Sequence, residues 1–219
     1  MNLHSVNVSP IRVVSLEGRE VWTGIFKQPV EGRVRVRRLG LFGDIQADRR
    51  HHGGLEKAVY AYPFEHYASW REELGEARDF PPGQFGENLT VTGMLEEEVC
   101  IGDVYRVGEA LLQVSEPRQP CFKLGIKMGR PDILRPFVQT GRVGFYLRVL
   151  EEGSVGAGDP IHLVERDPVG FSVRAMSDLV LLNVGDLASA ERALRIESLS
   201  PYLRNGLSQR LLQPSAENS

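Results

Sequence analysis

The sequence has few cysteines, no long apolar run and no strong excess of charge of either sign. Two cysteines, Cys100 and Cys121, in 219 residues are too few for a disulfide framework and are not spaced as a CxxC pair. The N-terminus lacks the basic and apolar segments of a signal peptide, and no apolar run is long enough to span a bilayer. A net charge of −3 gives no overall attraction to nucleic acid. We therefore expect a cytoplasmic protein with reduced thiols that binds neither nucleic acid nor membranes.

The pattern of strands and turns predicts a mainly β protein with a helical tail. Residues 1–165 contain about eight or more short strands separated by turns, one of them a hairpin turn at Glu17-Gly18-Arg19-Glu20. This pattern favours a barrel over alternating βαβ units. Residues 166–219 have helical spacing instead, with Ser172 as a helix cap and Pro201 at the first position of a third helix. Three such short helices bury little surface alone, so they must pack on the barrel or on a second copy, as in a homodimer.

The stretch from Ser115 to Leu124 holds the strongest candidate for chemistry. A buried strand is expected to end at Pro117, and a short helix to begin after Pro120. Cys121 then lies near the first turn of that helix, where unpaired N–H groups favour a thiolate. The neighbouring Arg118 and Lys123 act in the same direction. The alternative is an inert buried cysteine, which is how we interpret Cys100.

A polar loop at residues 43–54 is the second candidate. It has no apolar periodicity and is longer than most connections in a compact domain. Its Gly53 and Gly54 allow a ligand to approach the backbone, while Gln46, Asp48 and His52 offer hydrogen bonds. A zinc site is disfavoured, because adjacent histidines point in different directions in an extended chain. A glycine-rich surface turn is the alternative.

Two further patterns are interpreted as structural. The alternating residues Arg33–Leu39 predict a half-buried strand with its arginines on a solvated face. His66 falls on the polar side of a predicted helix, which indicates a surface histidine.

Five motifs in chain order carry a family resemblance. They are Gly43-Asp44-x-Gln46-Ala47-Asp48-x-x-x-His52-Gly53-Gly54, Ala58-Val59-Tyr60-Ala61-Tyr62, Gly83-x-Phe85-Gly86-Glu87-Asn88-Leu89, Pro117-Arg118-x-Pro120-Cys121-x-Lys123-Leu124 and Gly141-Arg142-x-Gly144-x-Tyr146. Together they resemble the MOSC domain, and within it the YiiM-like branch. The match runs from about residue 5 to residue 164, and the helical tail is similar to the three-helix C-terminal extension of that branch.

The resemblance implies a β-barrel-like fold that binds the pterin-based molybdenum cofactor (molybdopterin). Cys121 matches the cysteine that is taken to bind the molybdenum, and a soft thiolate suits a transition metal. For the cofactor's phosphate the candidates are Lys27, Arg118 and Lys123, followed by Arg37 and Arg142. For the pterin edge they are Asn88 and the loop containing Gln46, Gly53 and Gly54.

The resemblance also implies an activity, the reduction of N-hydroxylated compounds such as hydroxylaminopurine-type bases to amines. The metal would cycle between Mo(IV) and Mo(VI), with Asp48 or His52 as proton donors. The sequence has neither an iron–sulfur cysteine set nor a GxGxxG fingerprint, so a separate flavin or iron–sulfur protein is expected to supply the electrons. Two alternatives remain open: a sulfur carrier that uses a Cys121 persulfide, and non-catalytic cofactor binding or storage.

Overall fold

The computed structural model describes residues 1–47, 53–77 and 79–212. Asp48 and His52, our candidates for proton donors, lie outside the described residues. The strands are β1 (Asn2–Val8), β2 (Arg12–Leu16), β3 (Arg19–Thr23), β4 (Gln28–Pro29), β5 (Arg33–Arg37), β6 (Gly40–Leu41), β7 (Val59–Pro63), β8 (Leu89–Thr92), β9 (Val104–Val107), β10 (Ala110–Pro117), β11 (Phe145–Glu151), β12 (Gly153–Gly156) and β13 (Ile161–Glu165). The helices are α1 (His66–Leu74), α2 (Phe122–Met128), α3 (Leu134–Gln139), α4 (Val173–Leu181), α5 (Leu187–Leu194) and α6 (Pro201–Leu212), with 3-10 turns at Leu55–Lys57 and Pro131–Ile133.

One curved eight-stranded sheet forms the body of the protein, in the order β13–β9–β10–β11–β7–β8–β1–β4. Its two ends approach each other, because Asn2 of β1 forms a bridge to Pro160 and the Ile161 N–H donates to the Met1 carbonyl at 3.0 Å. The expected mainly β fold is confirmed. In the described residues, however, the hydrogen-bonded ladder does not close into a complete barrel.

Two smaller sheets lie beside the main one. Strand β5 pairs with β12 and β6, and its arginines are exposed while Val34 and Val36 are buried, as the alternation predicted. Strands β2 and β3 form a hairpin at the predicted turn, where Glu17 and Gly18 both have positive φ. Such a turn matches the twist of the flanking strands.

One connection in the main sheet joins two parallel strands. Strands β7 and β8 pair in parallel, with α1 in the segment that joins them. The sequence placed His66 of α1 on the surface, and this was wrong: it is buried, with Nε2 2.7 Å from Oε2 of the buried Glu96. The segment after β8 covers the start of α1, which the periodicity of the helix alone does not reveal.

The C-terminal helices pack on the sheet, which is the first of the two arrangements that the sequence predicted. Their buried residues, including Met176 and Leu203, belong to the same apolar cluster as Leu112 and Phe145 of the sheet. The predicted cap is present, since Ser172 Oγ accepts from the Ala175 N–H at 3.1 Å. The division into residues 1–165 and 166–219 remains a prediction. Within the described chain, none of the helices has the length and apolar character that crossing a bilayer requires.

Candidate functional site

A polar pocket opens where several loops meet beside the main sheet. The residues of its lining that matter for the argument come from the segments 23–27, 44–47 and 118–123, together with Lys57, Tyr60, Asn88 and Tyr146. These segments follow β3, β6 and β10, so the ends of three strands place them side by side. The sequence motifs that are far apart in the chain therefore converge at one place.

Cys121 lies in this pocket at the position expected from the sequence. Strand β10 ends at Pro117, after an irregular register between Val114 and Glu116. Cys121 is the residue that precedes α2, and its thiol is free and partly accessible. Cys100 is buried, as predicted, and does not line the pocket. The chain thus presents one accessible thiol to the pocket.

A buried ion pair forms part of the pocket wall. Lys27 Nζ lies 2.6 and 2.7 Å from the two oxygens of Asp44, and both side chains are less than a tenth exposed. Asp44 also accepts from the Ser9 N–H and from Asn88 Nδ2, each at 2.9 Å. Burial lowers the pKa of Lys27, while Asp44 opposes that change. A buried carboxylate with this many donors holds the lysine in one position.

Arg118 is a buried cation that is hydrogen-bonded to neutral groups. It is 5% exposed, and Nη1 donates to the Tyr60 hydroxyl at 3.1 Å and to the Phe85 carbonyl at 2.8 Å. Its guanidinium carbon lies 4.6 Å from the centre of the Tyr60 ring. Within the described residues, no carboxylate forms an ion pair with Arg118. A buried cation without such a partner attracts an anionic ligand.

Tyr60 and Tyr146 complete this side of the pocket as neutral phenols. Burial raises the pKa of both hydroxyl groups. The Tyr60 hydroxyl donates to the Val143 carbonyl at 2.8 Å. The phenols therefore support Arg118 without neutralising its charge.

Another lysine of the lining, Lys57, is held by groups from two parts of the fold. Its Nζ lies 3.6 Å from Oε2 of Glu116. It also lies 5.8 Å from the centre of the Tyr146 ring and 5.4 Å from that of Tyr202 in α6. The carbonyl of Lys57 accepts from Gln46 Nε2 at 3.0 Å. The helical tail thus reaches a residue of the pocket.

The lysines supply a signal that the sequence analysis missed. The chain has 26 lysines and arginines, of which only four are lysines. Three of the four, Lys27, Lys57 and Lys123, line the pocket, and Lys127 lies behind its wall. In the described lining, four cations stand against the single carboxylate Asp44. Lysine is a compact phosphate-binding charge, so its rarity and its location together indicate an anion site.

The predicted ligands separate into two groups. Lys27, Gln46, Asn88, Arg118, Cys121 and Lys123 all line the pocket. Gly53 and Gly54, which precede the 3-10 turn, do not. Arg142 does not either: it pairs with Glu73 at 2.6 and 2.8 Å and lies 4.4 Å from the centre of the Trp70 ring. Its charge is therefore already engaged.

Asn88 is hydrogen-bonded to several groups of the protein. Its Oδ1 accepts from the Tyr60 N–H at 3.2 Å, and its Nδ2 donates to Asp44 and, at 3.3 Å, to the Asn7 carbonyl. Both ends of the amide are thus hydrogen-bonded within the protein. Asn88 thus helps to position Asp44, and its role toward the pterin edge stays a prediction. Asp44 itself was part of a motif but had been given no role.

The described residues contain no group of three or more His, Cys, Asp or Glu side chains placed to hold a metal ion. The loop considered as a zinc site extends into residues outside the description. Cys121 as a single soft donor suits a metal that brings most of its other ligands with it.

Asp44→Asn is expected to destabilise the protein by about 3 kcal/mol, because it leaves the buried Lys27 charge without its partner. The double variant Asp44→Asn/Lys27→Met removes both charges, so its free energy of unfolding should fall by less than that of Asp44→Asn alone. Urea unfolding of the wild type, both single variants and the double variant measures the coupling. Additive losses of the two single variants would contradict this account.

The stability of the protein is expected to rise at alkaline pH through Lys127. Burial lowers the pKa of Lys127 to about 8, from 10.5. Between these values the unfolded chain binds more protons than the folded one, so the free energy of unfolding increases with pH. Relative to Lys127→Met, the free energy of unfolding of the wild type should increase by at most about 3 kcal/mol across this window. Urea unfolding at several pH values tests this, and parallel profiles for the two proteins would contradict it.

The MOSC domain family matches residues 48–162. The chain belongs to the MOSC domain family. This MOSC protein is 44% identical to YflK of Bacillus subtilis over 200 residues, which cover 91% of this chain and 90% of YflK. It is also 43% identical to YiiM of Escherichia coli over 145 residues, 66% of this chain and 65% of that protein.

Solved structures agree with this assignment. The crystal structure of YiiM from Geobacillus stearothermophilus superimposes with a TM-score of 0.81 at 38% identity, covering 96% of this chain and 98% of that one. YiiM from Escherichia coli gives 0.78 at 30% identity, covering 100% and 96%. The chain is thus a YiiM-like MOSC protein, as the five motifs indicated, and the resemblance includes the helical tail.

Proposed function

We propose that the pocket binds the pterin-based molybdenum cofactor and that the protein reduces N-hydroxylated compounds. The observation that carries this proposal is the placement of the Cys121 thiol in the same pocket as Arg118, a buried cation with neutral partners. The first suits a transition metal and the second an anion. A cofactor that joins a metal to a phosphate needs both.

The proposal gives a task to Cys121 and to the charged residues of the lining. Cys121 would ligate the metal as a thiolate, which requires loss of its proton on binding. Arg118, Lys27 and Lys123 would bind the phosphate, with Lys57 adding to the positive potential. When bound, the cofactor supplies the two-electron chemistry that cleaves an N–O bond. Asp44 and Asn88 keep Lys27 in place throughout.

The reaction consumes two electrons and two protons, and converts an N–OH group into N–H and water. We propose Asp48 or His52 as the proton donor, since both follow the lining residue Ala47 closely in the sequence. A separate flavin or iron–sulfur protein would supply the electrons.

A fungal relative supports the reductase assignment. The chain is 44% identical to a Gibberella moniliformis protein named "Reductase" over 158 residues, which are 71% of this chain but only 28% of that protein. The match thus spans about a quarter of the fungal protein.

The activity is tested with protein from a host that makes the molybdenum cofactor, assayed under nitrogen with a reduced dye and a hydroxylaminopurine. We expect the amine to form at a rate proportional to the bound molybdenum. Protein from a host that cannot make the cofactor is the control and should be inactive. Cofactor-loaded protein that produces no amine would contradict the reductase proposal and favour storage. A persulfide on Cys121 in protein without pterin would favour the sulfur carrier.

A further inference from the structure

Lys127 is a buried cation that takes no direct part in the lining of the pocket. It lies in the last turn of α2, the helix that follows Cys121. Its Nζ donates to the carbonyl of Ile25 at 3.0 Å and to the carbonyl of Gly83. Neither the MOSC motifs nor the proposed function gives it a role.

The two carbonyls belong to segments that form one wall of the pocket. Ile25 lines the pocket, and Gly83 begins the turn that leads to the lining residues Gly86 and Asn88. These segments are in close contact: a Cβ on Gly83 would lie 2.9 Å from the Lys27 carbonyl oxygen, and one on Gly86 would lie 2.7 Å from Cγ1 of Ile25. Lys127 is therefore hydrogen-bonded to both of these closely packed segments.

The charges around Lys127 are mostly positive. Lys27, Arg118 and Arg12 act on it as like charges, and Glu87 is the opposing charge. The carboxylate of Glu87 is shared, because it accepts from the Gly83 N–H at 2.7 Å and from the Phe85 N–H at 3.0 Å. Among the described residues, no carboxylate oxygen forms an ion pair with Lys127. Its charge is thus incompletely neutralised and lies close to that of two lining cations.

We propose that Lys127 is a positioning residue for the anion site: its ammonium group fixes the Ile25 and Gly83 segments together and adds positive potential behind Lys27 and Arg118. The inference rests on the proposed binding of the cofactor phosphate in this pocket. Charge-assisted hydrogen bonds to the two carbonyls are stronger than those of a neutral amine. Loss of the proton therefore loosens the wall and lowers the affinity for an anion.

Sulfate is the probe for this proposal, because its charge does not change between neutral and alkaline pH. Calorimetry measures sulfate affinity across the window in which Lys127 loses its proton, whose pKa burial lowers to about 8. The Cys121→Ser variant serves as the common background, so that the pocket thiol is absent from all the proteins compared. Lys127→Met is compared with the control variant Arg130→Met. Arg130 lies just beyond the end of α2 and pairs with the exposed Asp132.

We expect sulfate affinity to fall by roughly tenfold as pH rises through this window in the background protein and in Arg130→Met. Lys127→Met should bind weakly at every pH, with no step. A step retained in Lys127→Met, or an affinity in that variant equal to that of the background protein, would overturn the proposal. Failure of the background protein to bind sulfate at neutral pH would also overturn it.

Lysine NMR gives a second measurement that does not depend on the folding of Lys127→Met. With four lysines in the chain, ¹³C-labelled lysine gives few signals, and Lys127→Arg identifies that of Lys127. By reciprocity, saturating sulfate must raise the pKa of Lys127. An unchanged pKa would overturn the proposal.

The cofactor content of the protein is assayed separately. If molybdenum and pterin are present but Lys127 has no effect on sulfate binding, only this inference fails. If the cofactor is absent but Lys127 still affects sulfate binding, only the proposed function fails.

Discussion

Protein carrying Cys121→Ala is expected to lose its molybdenum and keep its fold. Removal of a direct thiolate ligand should lower the metal content by at least roughly tenfold, since even second-sphere changes cost ten- to hundredfold in metal affinity. The thiol is only partly buried and makes no capping hydrogen bond to α2. Its loss should therefore change the free energy of unfolding by less than about 1 kcal/mol. Metal analysis and urea unfolding of the same preparation measure both quantities.

Cys100→Ala is the matched control for this experiment. Cys100 is the other cysteine of the chain and lies away from the pocket, with Sγ 3.4 Å from Arg166 Nη1. This variant should retain the molybdenum content of the wild type. Equal metal in wild type and Cys121→Ala would show that Cys121 is not the ligand, whereas equal loss in both variants would point to a general effect on folding.

Arg118→Met should lose the whole cofactor, pterin as well as metal. The substitution removes the buried charge that has no carboxylate partner among the described residues. A hydrogen bond to a charged group contributes about 1.5–3 kcal/mol, so the affinity for the cofactor should fall by roughly ten- to hundredfold. The Phe85 carbonyl and the Tyr60 hydroxyl lose a donor, which should also lower the free energy of unfolding by about 1–3 kcal/mol.

Two further variants separate the effect of charge from that of packing. Arg118→Lys keeps the charge but not the planar fork, so its pterin content should lie between those of the wild type and Arg118→Met. Arg142→Met removes an arginine that also contacts an aromatic ring, Trp70, but lies outside the pocket. It should retain the cofactor. Loss of pterin in Arg142→Met, with retention in Arg118→Met, would reverse the assignment of the anion site.

The sequence predicted the elements well where the signal was local. The hairpin turn at Glu17 and Gly18, the alternation in β5, the position of Cys121 before α2 and the cap at Ser172 each follow from a few neighbouring residues. Turn conformation, side-chain alternation and helix capping are short-range effects. These features therefore carry over from the sequence to the fold without knowledge of the tertiary contacts.

The roles within the site depend on long-range contacts and were harder to predict. Asp44 meets Lys27 and Asn88 only because three separate loops converge. A motif also does not show which way a side chain points. Arg142 lies in one of the five motifs, but its guanidinium pairs with Glu73. Lys127, outside every motif, reaches the pocket wall from behind.

The most direct test of the central claim is the cofactor content of the wild-type protein. The protein is produced in a host with an intact molybdenum-cofactor pathway and purified without oxygen, and molybdenum and fluorescent pterin are then measured on the same sample. The account predicts about one molybdenum and one pterin per chain. Absence of both, under conditions in which a known molybdoenzyme is loaded, would contradict it.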